Sequence, residues 1–194
     1  GYVVEALARS GVGALELVDH DTISITNLNR QIIATNGTLG KPKVEVAKER
    51  AESINKEVKI VPYEVYYSPE NSAEFDLSQY DYVIDAIDSV TSKIELILNC
   101  QSLGMPIISS MGTGNKLEPT GFKIADIYKT EGCPLARVMR YELKKRGVKK
   151  LKTLYSPEKP VKNGTDTIGS AVFVTGTAGL VIAGEVIKDL LDKS

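Results

Sequence analysis

The chain has 194 residues, 42% hydrophobic and 25% charged, with a net charge of −1. These values describe one ordinary globular domain with enough apolar mass for a core, and no global field that would draw it to nucleic acid. No window of about 18 uninterrupted apolar residues marks a membrane span and no basic-then-apolar leader opens the chain; two lone cysteines suit a reducing compartment, so a cytoplasmic location is expected.

Taken in order, the first element is a helix over Tyr2 to Gly11, with apolar residues at helical spacing and a glycine suited to a left-handed cap. In a dinucleotide-type fold such a helix follows a first strand and a Gly-rich turn. Gly1 is therefore expected to be the last glycine of that fingerprint, with a lead-in of roughly 20 to 35 residues missing before it. Ala14 to Val18 reads as a strand closed by Asp19, Val44 to Ile54 as a helix, and Val58 to Val65 as a strand. A short segment near Pro69 to Phe75 leads to a strand from Tyr82 that ends in Asp88. Ser89 or Thr91 caps a helix carrying Ile94, Ile97, Leu98 and Leu103, and Pro106 to Met111 is a further strand. Helix and strand alternating in this way predict an α/β, Rossmann-like, mostly parallel sheet with helices on both faces. Phe122 to Tyr128 and Ala171 to Thr175 are expected to extend it as antiparallel strands.

The residues at the strand ends point to a nucleotide site. An open parallel sheet presents its carboxyl ends to ligands, so Asp19 is placed to accept both ribose hydroxyls of ATP. Arg30 and Lys43 supply positive charge where it builds between an α-phosphorus and leaving pyrophosphate. Asn27 orients a phosphate or carboxylate without adding charge. Asp88 is the expected Mg²⁺ ligand, since that cation takes one or two carboxylates together with phosphate oxygens; Asp85 is the fallback. Each also has a plainer reading. Asp21 forms a turn and caps the segment after it, Arg30 is a structural ion-pair partner, and Asp85 hydrogen-bonds a neighbouring amide.

The run Asn27, Leu28, Asn29, Arg30, Gln31, set between Asp19 and the Gly40, Lys41, Pro42, Lys43 turn and followed by Asp85 to Ser89, resembles the adenylation domain shared by ubiquitin-activating enzymes and the thiamine and molybdopterin sulfur-carrier activators. The likeness spans Gly1 to about Gly121. It implies ATP and Mg²⁺, a nucleotide site made of Gly1, Asp19, Asp21, Asn27, Arg30, Gln31, Lys43 and Asp88, and catalytic roles for Arg30, Asn27, Lys43 and Asp88. Lys129 to Arg140, and Gly169 to Val174 running into Ala178 to Val186, are similar to the tRNA threonylcarbamoyladenosine dehydratase subgroup. That subgroup uses ATP to activate the carboxylate of threonylcarbamoyladenosine at position 37 of tRNA, and ring closure follows with loss of water. The sulfur-carrier activators carry two Cys-x-x-Cys pairs for zinc. With only Cys100 and Cys133 here, no zinc site of that kind can be built. By the same resemblance a homodimer is expected and a cysteine desulfurase is a candidate partner.

Two alternatives stay open on the sequence: an adenylyltransferase activating a ubiquitin-like sulfur carrier, and a non-catalytic nucleotide-binding module. The chain divides into a nucleotide-binding part, 1–121, and a substrate and dimer part, 122–194, of one adenylation domain. In the second part Arg137, Arg140, Lys144, Lys145 and Arg146, with Lys149, Lys150 and Lys152 beyond them, are a candidate tRNA surface. The competing reading is a solvated helix face with cations favoured near its C-terminus. Thr165, Asp166 and Thr167 are placed to hold a modified base. Cys133, beside Pro134 and with no histidine near it in sequence, reads as a small apolar residue, and Gly176 to Gly179 as close helix packing.

Overall fold

In the computed structural model, which describes residues 1–161, 164 and 167–192, helix and strand alternate from the first residues onward. Helix α1 (Tyr2–Arg9) buries Leu7 and Ala8, and Gly11, at φ 81°, turns the chain into β1 (Ala14–Val18). Helix α2 (Lys43–Ile54) returns it to β2 (Lys59–Tyr63), parallel to β1 with Ala14 opposite Lys59. Strand β3 (Val83–Asp85) feeds α3 (Val90–Leu103), whose Ser89 cap accepts the Ser92 N–H at 3.4 Å and whose end is set by Gly104 in the left-handed region. Strands β4 (Ile107–Ser110) and β5 (Lys123–Asp126), helix α4 (Pro134–Lys145), strand β6 (Lys152–Tyr155) and helix α5 (Val172–Leu191) complete the order.

The strands form two sheets, β1–β2 and β3–β4–β6–β5; every pairing is parallel except β5 with β6. Burial explains the layering. Successive residues of a strand face opposite ways, so Ile107 and Tyr155 meet α3 and α4, through Ile97, Met139 and Leu143, on one face. Ile108 and Leu154 meet α1 and α5, through Leu7, Ala178 and Ile182, on the other. Leu15 of β1 and Ile84 of β3 pack against that second cluster, so both sheets share one core.

Helices on both faces of mostly parallel strands, with an antiparallel edge, is the architecture the spacing predicts. Three expectations are corrected. Ala171 to Thr175 is not a strand: Ala171 precedes α5 and the next four residues are its first turn. Their β-branched and aromatic composition favours a strand locally, and burial of the long apolar helix on α1 overrides it. The strand from Tyr82 stops at Asp85, so Asp88 stands on the loop beyond it. Lys152 opens β6 and its ammonium ties that strand to α5, through Glu185 at 2.8 Å and Asp189 at 2.7 Å. Among the described residues, no helix is long and apolar enough to cross a membrane.

Candidate nucleotide site

Asp19 leaves β1 with its N–H still donating to the Tyr63 carbonyl, at 3.2 Å, so its position is an extension of the β1–β2 ladder. Its Oδ1 accepts the Asp21 N–H at 2.9 Å, a local turn that sends the chain sideways. A short ladder then closes: Thr22 pairs with Pro42, and the Lys43 N–H donates to the Asp21 carbonyl at 2.9 Å. The first residue of α2 is thereby carried back to the strand end. Lys43 Nζ donates to Asp21 Oδ2 at 2.6 Å and lies 4.0 Å from Asp19 Oδ2. The Lys43 ammonium holds the Asp21 carboxyl below the usual carboxylate range. Gly1 stands at the same corner, where a Cβ would come 3.1 Å from Ile32 Cγ2.

Residues 24–39 make an excursion of two 3-10 turns, Ile25–Asn27 and Asn36–Thr38, each closed by a reciprocal capping box. Asn27 is buried, and its Oδ1 accepts the Ser24 N–H at 3.0 Å. Its carbonyl accepts the N–H groups of Arg30 and Gln31, at 3.1 and 2.9 Å. The Arg30 guanidinium folds onto its own loop, with Nη1 donating to the Thr26 carbonyl at 2.7 Å and to Asn29 Oδ1 at 3.0 Å. Asn29 in turn donates to the Ser170 carbonyl at 2.9 Å, which ties this excursion to the approach of α5. There a groove is lined by Asn115, Lys116, Leu117, Val161 and Ser170, beside the arginine loop.

Asp88 is exposed on the loop after β3. Tyr66 joins it to the Asp19 corner: its ring packs edge-on against His20, centroids 4.9 Å apart, and its hydroxyl accepts a hydrogen bond from Ser92 at 3.3 Å. Asp88 acts electrostatically on the same phenol, while hydrogen bonds from Ser89 and Ser92 hold that phenol below its ordinary value. Asp85, by contrast, is sealed in the core with Lys93, which excludes it as a reserve cation ligand; its plainer reading as an amide acceptor holds, since it takes the Ile87 N–H at 3.0 Å. Tyr66 and Lys93 carried no local signal. One is a half-exposed tyrosine after a strand, the other a lysine inside a helix.

Among the described residues, one group of three potential metal ligands converges, Asp19, His20 and Asp21. Lys43 already neutralises that group, so an ammonium stands where a cation would go. Asp88, an exposed carboxylate beside the strand ends, has the donor chemistry that suits Mg²⁺.

On α4 the residues Ala136, Met139 and Leu143 turn inward and Arg137, Lys144 and Lys145 outward. Arg140 does not share the outer face, because its Nη1 donates to the Thr130 carbonyl at 2.9 Å and to the Thr130 hydroxyl. Arg146 binds Glu142 at 2.6 Å, and Lys145 lies 4.0 Å over the exposed Tyr141 ring. Cys133 is buried near Gly112, and Gly179 packs against Tyr2, as expected of both segments. Thr165 and Asp166 lie outside the described residues; Thr167 is exposed.

The family model described as the ThiF family matches residues 1–194. The tRNA threonylcarbamoyladenosine dehydratase of Bacillus subtilis (strain 168) is 41% identical over 98% of this chain and 82% of its own length. The enzyme of the same name from Escherichia coli (strain K12) is 33% identical over 100% of this chain and 82% of its own. A crystal structure of the E. coli tRNA N6-threonylcarbamoyladenosine dehydratase in complex with ATP superposes with a TM-score of 0.93, at 37% identity, over 99% of this chain and 81% of that one.

Proposed function

Because this chain belongs to the ThiF family, we propose from that premise that it catalyses ATP-dependent cyclisation of threonylcarbamoyladenosine at position 37 of tRNA, through adenylation of the carboxylate. The observation that carries the reading is the match along 98% of the chain to a dehydratase at 41% identity. The acid and lysine at the sheet's carboxyl end fall within that match and suit a nucleotide. The substrate carboxylate attacks the α-phosphorus of ATP, a P–O bond forms and pyrophosphate leaves. A nitrogen or oxygen of the same substituent then attacks the acyl-adenylate, closes a ring and expels AMP. The water removed is thus accounted for by ATP becoming AMP and pyrophosphate, and no enzyme nucleophile is required. Both cysteines are buried, and burial, with Asp85 nearby, pushes the Cys100 thiol up to about 12, far from a working thiolate.

In this reading Asp19 accepts the ribose hydroxyls, Lys43 exchanges Asp21 for a phosphate oxygen, and Arg30 turns from Thr26 to the pyrophosphate. Asn27, through its buried amide, fixes the loop that carries Arg30, and Gln31 closes the same loop. Gly1 leaves room at the corner. Asp88 holds Mg²⁺, which when bound supplies charge neutralisation on the phosphates. Arg137, Lys144, Lys145 and Arg146 track the tRNA backbone from the outer face of α4; Arg140 supports that face from inside. Exposed Val172, Phe173 and Leu180 on α5 support a homodimer, and a tRNA substrate supports a cytoplasmic location.

The test is mass spectrometry of nucleosides from tRNA incubated with the protein, ATP and Mg²⁺. Loss of one water from threonylcarbamoyladenosine is expected. An unchanged nucleoside, with AMP formed only when a ubiquitin-like carrier is added, would replace this reading with carrier activation.

A further inference from the structure

Asp85 and Lys93 form an ion pair, Nζ to Oδ2 2.9 Å, in which both side chains are wholly shielded from solvent. Lys93 also donates to Asp85 Oδ1 at 3.0 Å and to the Ile87 carbonyl at 2.9 Å. The carboxylate accepts two more hydrogen bonds, from the Ile87 N–H at 3.0 Å and from the Ser109 hydroxyl at 2.5 Å. Among the described residues no buried side-chain nitrogen or oxygen lacks a partner, those of this pair included.

Stability does not explain such a pair. Hiding two ions costs several kcal/mol apiece in lost hydration, and apolar side chains of similar volume commonly do as well or better in a core. Apolar side chains cannot, however, bind a backbone. β3 leaves its sheet after Asp85, and both the N–H and the C=O of Ile87 are held by this pair. Ser109 anchors the carboxylate to β4, and Lys93 anchors the ammonium to α3. The next residue is Asp88.

We propose that the buried Asp85–Lys93 pair is a positioning device for Asp88: it fixes the Ala86 to Asp88 turn so that the exposed carboxylate meets nucleotide and cation at one place. This rests on the nucleotide-site reading above. Both residues are sealed from any substrate and act only through the turn. Side chains that support a metal ligand from behind typically carry a 10- to 100-fold effect on metal affinity.

Calorimetric titration of ATP, with and without Mg²⁺, tests the proposal in the protein, in Asp88→Ala, in the apolar double variant Asp85→Leu/Lys93→Met, and in the triple variant. The double variant is expected to lose about tenfold or more of the Mg²⁺-dependent gain in ATP affinity, as Asp88→Ala does. Adding Asp88→Ala to it should change affinity by less than about twofold, because both changes remove one interaction. A folded double variant that keeps the full gain, while Asp88→Ala loses it, overturns the positioning role and leaves the site intact. If Asp88→Ala itself keeps the gain, the site reading fails and the positioning role with it. Should the double variant not fold, hydrogen exchange of the Ile87 amide in the unaltered protein decides. Protection about a thousandfold above an open loop supports the lock, and exchange at the open-loop rate overturns it.

Discussion

Lys43 reaches the strand end already engaged, 2.6 Å from Asp21 and 4.0 Å from Asp19, so on the proposed reading a phosphate competes with a carboxylate for it. Lys43→Met is expected to lower AMP formation by about a hundredfold or more, since it removes fixed positive charge from where negative charge develops; release of labelled AMP measures it. The same pair sets a pH dependence. Lys43 depresses the folded-state value for Asp21, so the stability this provides is present above the ordinary carboxylate value and fades as pH falls through the lower folded one. Urea midpoints between about pH 2 and 5 should therefore decline less steeply in Lys43→Met than in the parent. Asp19 and Lys43 were legible as site candidates from strand-end position and charge. Asp21 was legible as a turn former and, through the family resemblance, as a nucleotide-site residue, but not as the partner of Lys43, because that ion pair depends on a 22-residue return of the chain that no local pattern announces.

At the level of elements, the contact of α1 with α5 leaves little room. A Cβ at Gly179 would lie 2.8 Å from the Tyr2 Cβ and 3.2 Å from the Val3 nitrogen, whereas one at Gly184 meets nothing within 4 Å. Gly179→Ala should cost about 1–3 kcal/mol from overpacking. Gly184→Ala, in the same helix, should stabilise by up to about 1 kcal/mol by propensity alone; equilibrium urea unfolding of both variants checks the contrast. Helix α4 offers a second. Arg137→Ala/Lys144→Ala should weaken tRNA binding and take about 1–2 from the slope of log affinity against log salt, with little change in stability. Arg140→Ala should instead lower the thermal midpoint, because its guanidinium closes the Thr130 loop. The sequence identified α4 as a basic helix but could not separate these arginines, which differ in the direction each leaves the helix. The start of α5 misleads for a related reason: Val172, Phe173, Val174 and Thr175 suit a strand by type, and the helix is decided by what lies across from it.

For the molecule as a whole, the layered α/β order was readable because α1, α2 and α3 each carry an apolar stripe, while β1 runs into Asp19, β3 ends in Asp85 and β4 ends in Ser110. Strand β6 was not, being four residues after a run of lysines, and its place between β4 and β5 is fixed by long-range pairing. Acid should loosen the join between α1 and α2. Burial alone would raise Glu5, but hydrogen bonds from Arg50 and Arg9 outweigh it and hold its carboxyl low, so α1 and α2 share a charge that is lost only below the ordinary glutamate range. Glu5→Gln should cost about 1–3 kcal/mol at neutral pH and less under acid, as read from denaturant midpoints at both.

The packing of Tyr2 against Gly176 and Gly179 also has a meaning in time. A ribosome adding about 5–20 residues per second needs roughly 10–35 s to travel from the first helix to the last. Throughout that interval the apolar stripe of α1 has been made and its cover has not. The stripe of α1 that packs on α5 therefore stays uncovered until α5 emerges.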